Sequence, residues 1–263
     1  KDSSKLGEAD FKLLGGLTGL KTLTLYGSCK GLNDETLPLL KNLQELEEFS
    51  TDLIQLSDDG FQHFKNFKNL KTLSLFHVSY QLKGFTGTGF KHLKELPNLQ
   101  RLTYAGTTCG DIALTEIAAL KQLRDLRTWH TRSGEKGAEP LATMTHLTSL
   151  HYGQSLGQFD GKPKSFALTD ATIPAITKLT NLETLTLDEA RLSLEALKKL
   201  KTLSKLKKLS LLRIDISAAE VEKLKTELTG VEIVWLPITE EEKKRLDATL
   251  AQPVPKKAPE PKP

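Results

Sequence analysis

Leucine returns along this chain in one spacing. The pattern L-x-x-[LF]-x-[LTY] begins at Leu20, Leu46, Leu70, Leu99, Leu123, Leu147, Leu182 and Leu206, and a degenerate ninth copy, LTGVEI, begins at Leu228. Half of the steps between copies are 24 residues long, and two longer ones, of 29 and 35, carry insertions. Such self-similarity decides the fold before any other feature, because a unit this small cannot bury its own apolar face and must stack on its neighbours.

Each unit contains two periods. The L-x-L core alternates as a strand buried on one face does. About ten residues later come segments such as NDETLPLLKNL, SDDGFQHFKNF, GDIALTEIAAL and TDATIPAITKL, with apolar residues three or four apart. Each opens on Asp or a neighbouring Ser, Thr or Asn, expected to cap its own helix. One strand and one short helix per unit predicts an α/β solenoid, with a parallel sheet on the concave side and short helices on the convex side.

These residues resemble the leucine-rich-repeat family in its 24-residue bacterial form, whose units read roughly L-x-x-L-x-L-x-x-T-x-[ILV]-[TS]-D-x-x-[LF]-x-x-[LI]-x-x-L. LQRLTYAGTTCGDIALTEIAALKQL (99–123) follows that form apart from Cys109 and Gly110. The resemblance covers residues 6–236 and implies a right-handed horseshoe. It also implies a concave sheet that binds a partner, usually a protein and sometimes a glycan, without specifying which.

The ends read as ends. Residues 1–19 contain a helical half-repeat, LGEADFKLLGGL, expected as an N-terminal cap. Residues 20–236 hold about nine repeat strands, and 237–252 a C-terminal capping helix opened by the capping box Thr239-x-x-Glu242. Residues 253–263, PVPKKAPEPKP, hold five of the eleven prolines and are expected to be a disordered tail.

The totals narrow the function classes. In 263 residues, 37 basic against 33 acidic side chains give +4, with much of the lysine in 198–208 and the tail, so nucleic acid is not an expected partner. Two cysteines without CxxC spacing, Cys29 and Cys109, suggest neither zinc nor a disulfide framework. No run of 18 apolar residues offers a transmembrane helix. An exported or cell-envelope location is favoured slightly over the cytoplasm, and a monomer is expected.

Alternation fixes what faces a ligand. With the slots of L-x-x-L-x-L-x-x numbered one to eight, slots four and six point inward; slots three, five and seven project from the concave face, with slot eight at the rim. Slot five runs Thr24, Ser50, Ser74, Thr103, Arg127, His151, Thr186, Ser210. Slot seven offers Tyr26, Asp52, Phe76, Trp129 and Asp188; slot eight offers His77, His130, Glu189 and Arg213; slot three adds Arg101 and Asp125. Aromatics beside arginine are what binding hot spots are made of. The alternative is that Trp129 covers the sheet with Arg127 stacked on it as a cation–π pair. Two insertions, 77–84 and 153–166, bracket this cluster and add Tyr80, Phe159, Lys162 and Lys164 as loop contacts.

Chemistry finds less support. His77 and His130 should stand about 10 Å apart, too far to share a metal at about 2 Å per ligand. Asp188-Glu189 faces solvent on this reading without a second carboxylate at a usable spacing, and no nucleophile or phosphate-loop signature is present. A noncatalytic module without cofactor, binding an unidentified protein on its concave face, is the expectation. A carbohydrate or cell-envelope recognition domain, with Trp129, Phe76 and Tyr26 as sugar platforms, is the alternative, and a structural spacer the third reading.

Overall fold

A computed structural model describes residues 2–80, 82–107, 109–131, 133–154 and 166–251. Phe159, Lys162, Lys164 and the proline tail lie outside the described residues. Nine parallel strands form one open sheet in chain order: β1 Thr22–Leu25, β2 Glu48–Asp52, β3 Thr72–Phe76, β4 Arg101–Ala105, β5 Asp125–Trp129, β6 Ser149–Gly153, β7 Thr184–Arg191, β8 Lys208–Asp215 and β9 Glu232–Pro237. The register follows the leucine spacing without a slip through the centre: Thr72, Arg101, Asp125 and Ser149 are successive partners, as are Ser74, Thr103, Arg127 and His151. Slots four and six therefore line one continuous core, in which Leu73, Leu102, Leu126, Leu150 and Leu185 are all buried.

The convex side is tighter than helix periodicity suggests. Among the described residues, regular α-helix is confined to α1 Glu8–Gly15, α2 Asp111–Ala118, α3 Ile173–Ile176, α4 Leu194–Lys198, α5 Ala218–Glu227 and α6 Glu240–Leu250; the other convex segments, such as Asp59–Asn66, Thr88–Glu95 and Lys136–Thr143, are 3-10 turns. Segments of this length are too short to be helical on their own. Packing of their apolar side chains against the strands sets their geometry, with Phe64 and Phe67 buried beside Phe49 and Phe61 packed on Phe64.

The aspartates that open these segments do not cap them. Asp34 accepts from Ser57 N–H (2.9 Å), Asp111 from Gly134 N–H (2.7 Å) and Asp170 from Ser193 N–H (2.9 Å). Asp58 accepts from the N–H groups of Thr86, Gly87 and Gly89. Each carboxylate thus serves the next repeat, because stacking brings the following loop over the exposed oxygen. Side-chain N-caps of helices occur at Ser193, Ser217 and Thr239, the last two with complete capping boxes to Glu220 and Glu242; earlier in the chain Asn33 Oδ1 accepts from the N–H groups of Glu35 and Thr36, and Ser57 Oγ from that of Gly60. A second ladder runs beside the first leucines, where the Asn69, Asn98 and Asn181 amides donate to the carbonyls of Gln44, Lys68 and Thr145. His146 occupies the same place, its Nε2 3.2 Å from Leu120 O.

Slot eight carries a feature that leucine spacing does not announce. Gly27, Leu53, His77, Gly106, His130, Glu189 and Arg213 all adopt positive φ, between 48° and 82°. The exception, Gln154, stands where the larger insertion begins. A left-handed non-glycine residue costs about 1 kcal/mol. It is held here by hydrogen bonds across the strand ends, as from Leu53 N to Phe76 O (2.9 Å) and from His77 N to Ala105 O (2.7 Å).

The slot-six residues of the central strands fit as large and small neighbours. Tyr104, Thr128 and Tyr152 are consecutive slot-six residues on β4, β5 and β6, and the small threonine leaves room for a buried tyrosine on either side. Thr51 directs its hydroxyl to Ser74 O at 3.4 Å.

Candidate functional site: the concave face of the central strands

Slot seven forms a track across the sheet. Tyr26, Phe76 and Trp129 lie on alternate strands, separated by Asp52 and Ala105, so each ring has the space above a smaller neighbour. Ring centroids are 6.1 Å apart for Tyr26–Phe76 and 6.3 Å for Phe76–Trp129, tilted by 57° and 59°. Trp129 then stacks nearly parallel on His151, at 4.6 Å and 18°. Gly153 makes that stack possible, since a Cβ there would sit 3.3 Å from Trp129 Cβ and 2.9 Å from Asp188 Cβ. Tyr26 is 44% exposed, and Phe76 and Trp129 are half-buried.

A charged layer lies beside the track. Asp125, expected as a contact residue, is instead buried beneath two guanidinium groups. Arg101 Nε donates to its Oδ2 from β4 at 2.7 Å, and Arg127 Nη2 from the same strand at 3.0 Å. Arg127 thus turns to Asp125, and the ring stacked on Trp129 is His151 rather than the arginine of the alternative reading. The arginine heads remain open to solvent, with side chains 49% and 45% exposed against 10% for Asp125.

Three histidine–carboxylate pairs lie at the rim and on the concave face beside it. His77 Nδ1 is 2.8 Å from Asp52 Oδ1, His130 Nε2 3.3 Å from Glu189 Oε2, and His151 Nε2 3.4 Å from Asp188 Oδ2. Arg213 Nη2 donates to Asp188 Oδ2 at 2.7 Å, and its Nε lies 3.3 Å from Glu189. Asp188 does not face solvent as expected. It is 4% exposed, because Arg213 and His151 fold over it from either side. The His77 ring lies over Gly106, where a Cβ would come within 2.3 Å of it, and packs edge-on against Tyr80 at 6.4 Å.

The structure thus gathers Phe76, His77, Arg101, Asp125, Arg127, Trp129, His130 and His151 on β3 to β6. Tyr26 and Asp52 extend the surface towards β1, and Asp188 joins it from β7 as a supporting residue. Glu189 and Arg213, noted from the sequence only as rim positions, are the carboxylate and guanidinium that fasten this network. One signal could have found such ties: opposite charges one repeat apart, as in Arg101–Asp125, Arg191–Asp215 and Lys208–Glu232. Among the described residues no group of three His, Cys, Asp or Glu side chains could hold a metal, and no helix is long and apolar enough to cross a membrane. Both cysteines are buried free thiols; burial pushes the Cys109 thiol up to about 12.

The repeated leucine cores, the open parallel sheet in register and the short convex helices define a leucine-rich-repeat solenoid. Among solved structures, internalin C2 of Listeria monocytogenes has the same fold at 17% identity, covering 88% of this chain and 84% of its own, with a TM-score of 0.50. Another internalin of that bacterium is similar at 19% identity and TM-score 0.48, covering 80% of this chain. A leucine-rich-repeat protein of Leptospira interrogans is similar at 18% and 0.49, covering 84%. The chain spans 54% and 50% of the length of these last two. No family model and no curated protein matches the chain.

Proposed function

We propose that the chain is a noncatalytic protein-interaction module that receives its partner on the concave face of β3 to β6. The observation carrying this reading is the ring track Tyr26–Phe76–Trp129, part-exposed and bordered by two solvent-facing arginines. A contiguous apolar ridge on a solvated sheet needs a partner to cover it, and aromatics with arginine supply binding free energy at small entropic cost. The charged rim is internally paired, which suits orientation of a surface better than proton transfer. The proposal includes an exported or cell-envelope location, which fractionation of the native protein tests.

Trp129→Ala combined with Phe76→Ala tests the site. Pull-downs with the native chain should recover a partner that the double variant loses. Identical recoveries would sink the reading. A carbohydrate ligand is the second reading, and the alignment of three rings in one track favours it. Against it, neighbouring rings tilt onto one another and His151 occupies one Trp129 face, which leaves few flat platforms. Glycan-array binding that depends on Trp129 would reverse that preference.

A further inference from the structure

We propose that Arg101 and Arg127 form a subsite for a carboxylate side chain of the partner, so that the concave face selects an acidic residue set beside an apolar or aromatic one. This rests on the concave-face reading above and deepens it. Asp125 is consumed within the layer: Arg101 reaches it through Nε, and Arg127 through Nε and Nη2. Among the described residues, both Nη groups of Arg101 and Nη1 of Arg127 have no partner.

Two guanidinium groups anchored on one buried carboxylate leave one positive charge in excess. Their remaining donors face the solvent inside the curve of the sheet. Guanidinium groups fixed in this way meet a carboxylate with directed, charge-assisted hydrogen bonds. The anchoring removes much of the side-chain entropy that a free surface arginine would lose on binding. Phe76 and Trp129 stand two slots beyond Arg127, at the next outward-facing position along the strands, so an extended segment could seat an acidic side chain on the arginines and an apolar one on the rings. Asp125 is accordingly a positioning residue, without contact to the partner.

The test is selection of a random phage-displayed peptide library on the full chain, followed by synthesis of an enriched peptide and of its Asp→Asn or Glu→Gln counterpart. The expected result is enrichment of Asp or Glu next to an apolar or aromatic residue, with the amide counterpart binding about tenfold more weakly. On R101Q/R127Q that tenfold difference should vanish, as a double-mutant cycle requires for a direct pair. Should R101Q/R127Q melt early, R101Q/D125N/R127Q keeps a neutral hydrogen-bonded layer and must give the same loss. An unchanged tenfold difference on either variant overturns the subsite, as does enrichment without acidic residues. If Trp129→Ala then still abolishes binding, the concave-face reading survives that failure. Recovery of no peptide at all counts against both.

Discussion

The carboxylate of Asp58 and the main chain of Gly89 meet across a repeat boundary with no room between them. Gly89 N–H donates to Asp58 Oδ1 at 2.8 Å, and a Cβ on Gly89 would stand 2.5 Å from Asp58 O and 2.8 Å from its Cα. At the corresponding glycines, Gly60 and Gly137, a Cβ would meet the carboxylates of Asp34 and Asp111 first, rather than backbone. Gly89→Ala presses on backbone, which cannot swing aside, and should cost about 2–3 kcal/mol. Gly137→Ala meets first a carboxylate oxygen at 2.2 Å and should cost less, while Gly19→Ala, with open space around it, should be close to neutral. Urea denaturation of the three variants should reproduce this order; equal midpoints would show that the boundary is not close-packed.

Asp58 is also the acceptor for the Thr86 hydroxyl and three backbone N–H groups. Asp58→Ala leaves those donors without their carboxylate and should destabilise the chain by about 2–4 kcal/mol. Burial works against the charged form, but the donors from Gly89, Thr86 and Gly87 outweigh it and hold the carboxyl below its ordinary 3.8. A folded pKa below the unfolded one gives stability that is present above the unfolded value and lost as pH falls through the folded value. Denaturation midpoints should therefore drop more steeply on acidification below about pH 4 in the native chain than in Asp58→Asn.

His146 takes the place of an amide in the convex ladder, and its ring is held below the ordinary imidazole value of 6.5, by burial first and by Lys121 next. The unfolded chain then binds a proton more readily than the folded one. This contribution to stability is complete above the unfolded pKa and is lost as pH falls below it. His146→Gln keeps a donor for the Leu120 carbonyl and removes the titration. Its melting temperature should vary less than that of the native chain between about pH 7 and pH 5; parallel profiles would exclude this role.

Gly153→Ala should move Trp129 by direct contact, since the added Cβ stands 3.3 Å from Trp129 Cβ. The added methyl comes between Asp188 and Trp129, so the Trp129–His151 stack must open, at a cost of about 1–2 kcal/mol. In a Trp235→Phe background the remaining fluorescence reports Trp129 alone. A shifted emission maximum is the expected outcome, and an unaltered spectrum would place the stack elsewhere.

The strands and their columns were legible because leucine spacing fixes register, and register fixes which side chains share a face. Partner choice was not legible in the same way. Asp58 reads as a helix cap because the chain continues into a helical segment after it; the loop that it actually serves lies about one repeat downstream in sequence. Arg127 and Trp129, two residues apart, admit a stacked pair as one reading, whereas Asp125 and the cross-strand His151 draw them in different directions. Asp188 reads as exposed until Arg213, one repeat later, is folded over it. For Asp58, Asp188 and the Trp129–His151 stack the deciding contact crosses a repeat boundary, while Arg127 is drawn to Asp125 of its own strand.

The aspartate and amide ladders have a consequence for how the molecule opens. Both satisfy backbone groups of one repeat with side chains of another, so no repeat is complete alone and loss of structure proceeds by fraying inward from the two ends. Strand β5 has four strands on either side. Arg127 and Trp129 therefore sit on the segment that such fraying reaches last, and its amides should exchange with solvent more slowly than those of β1 or β9.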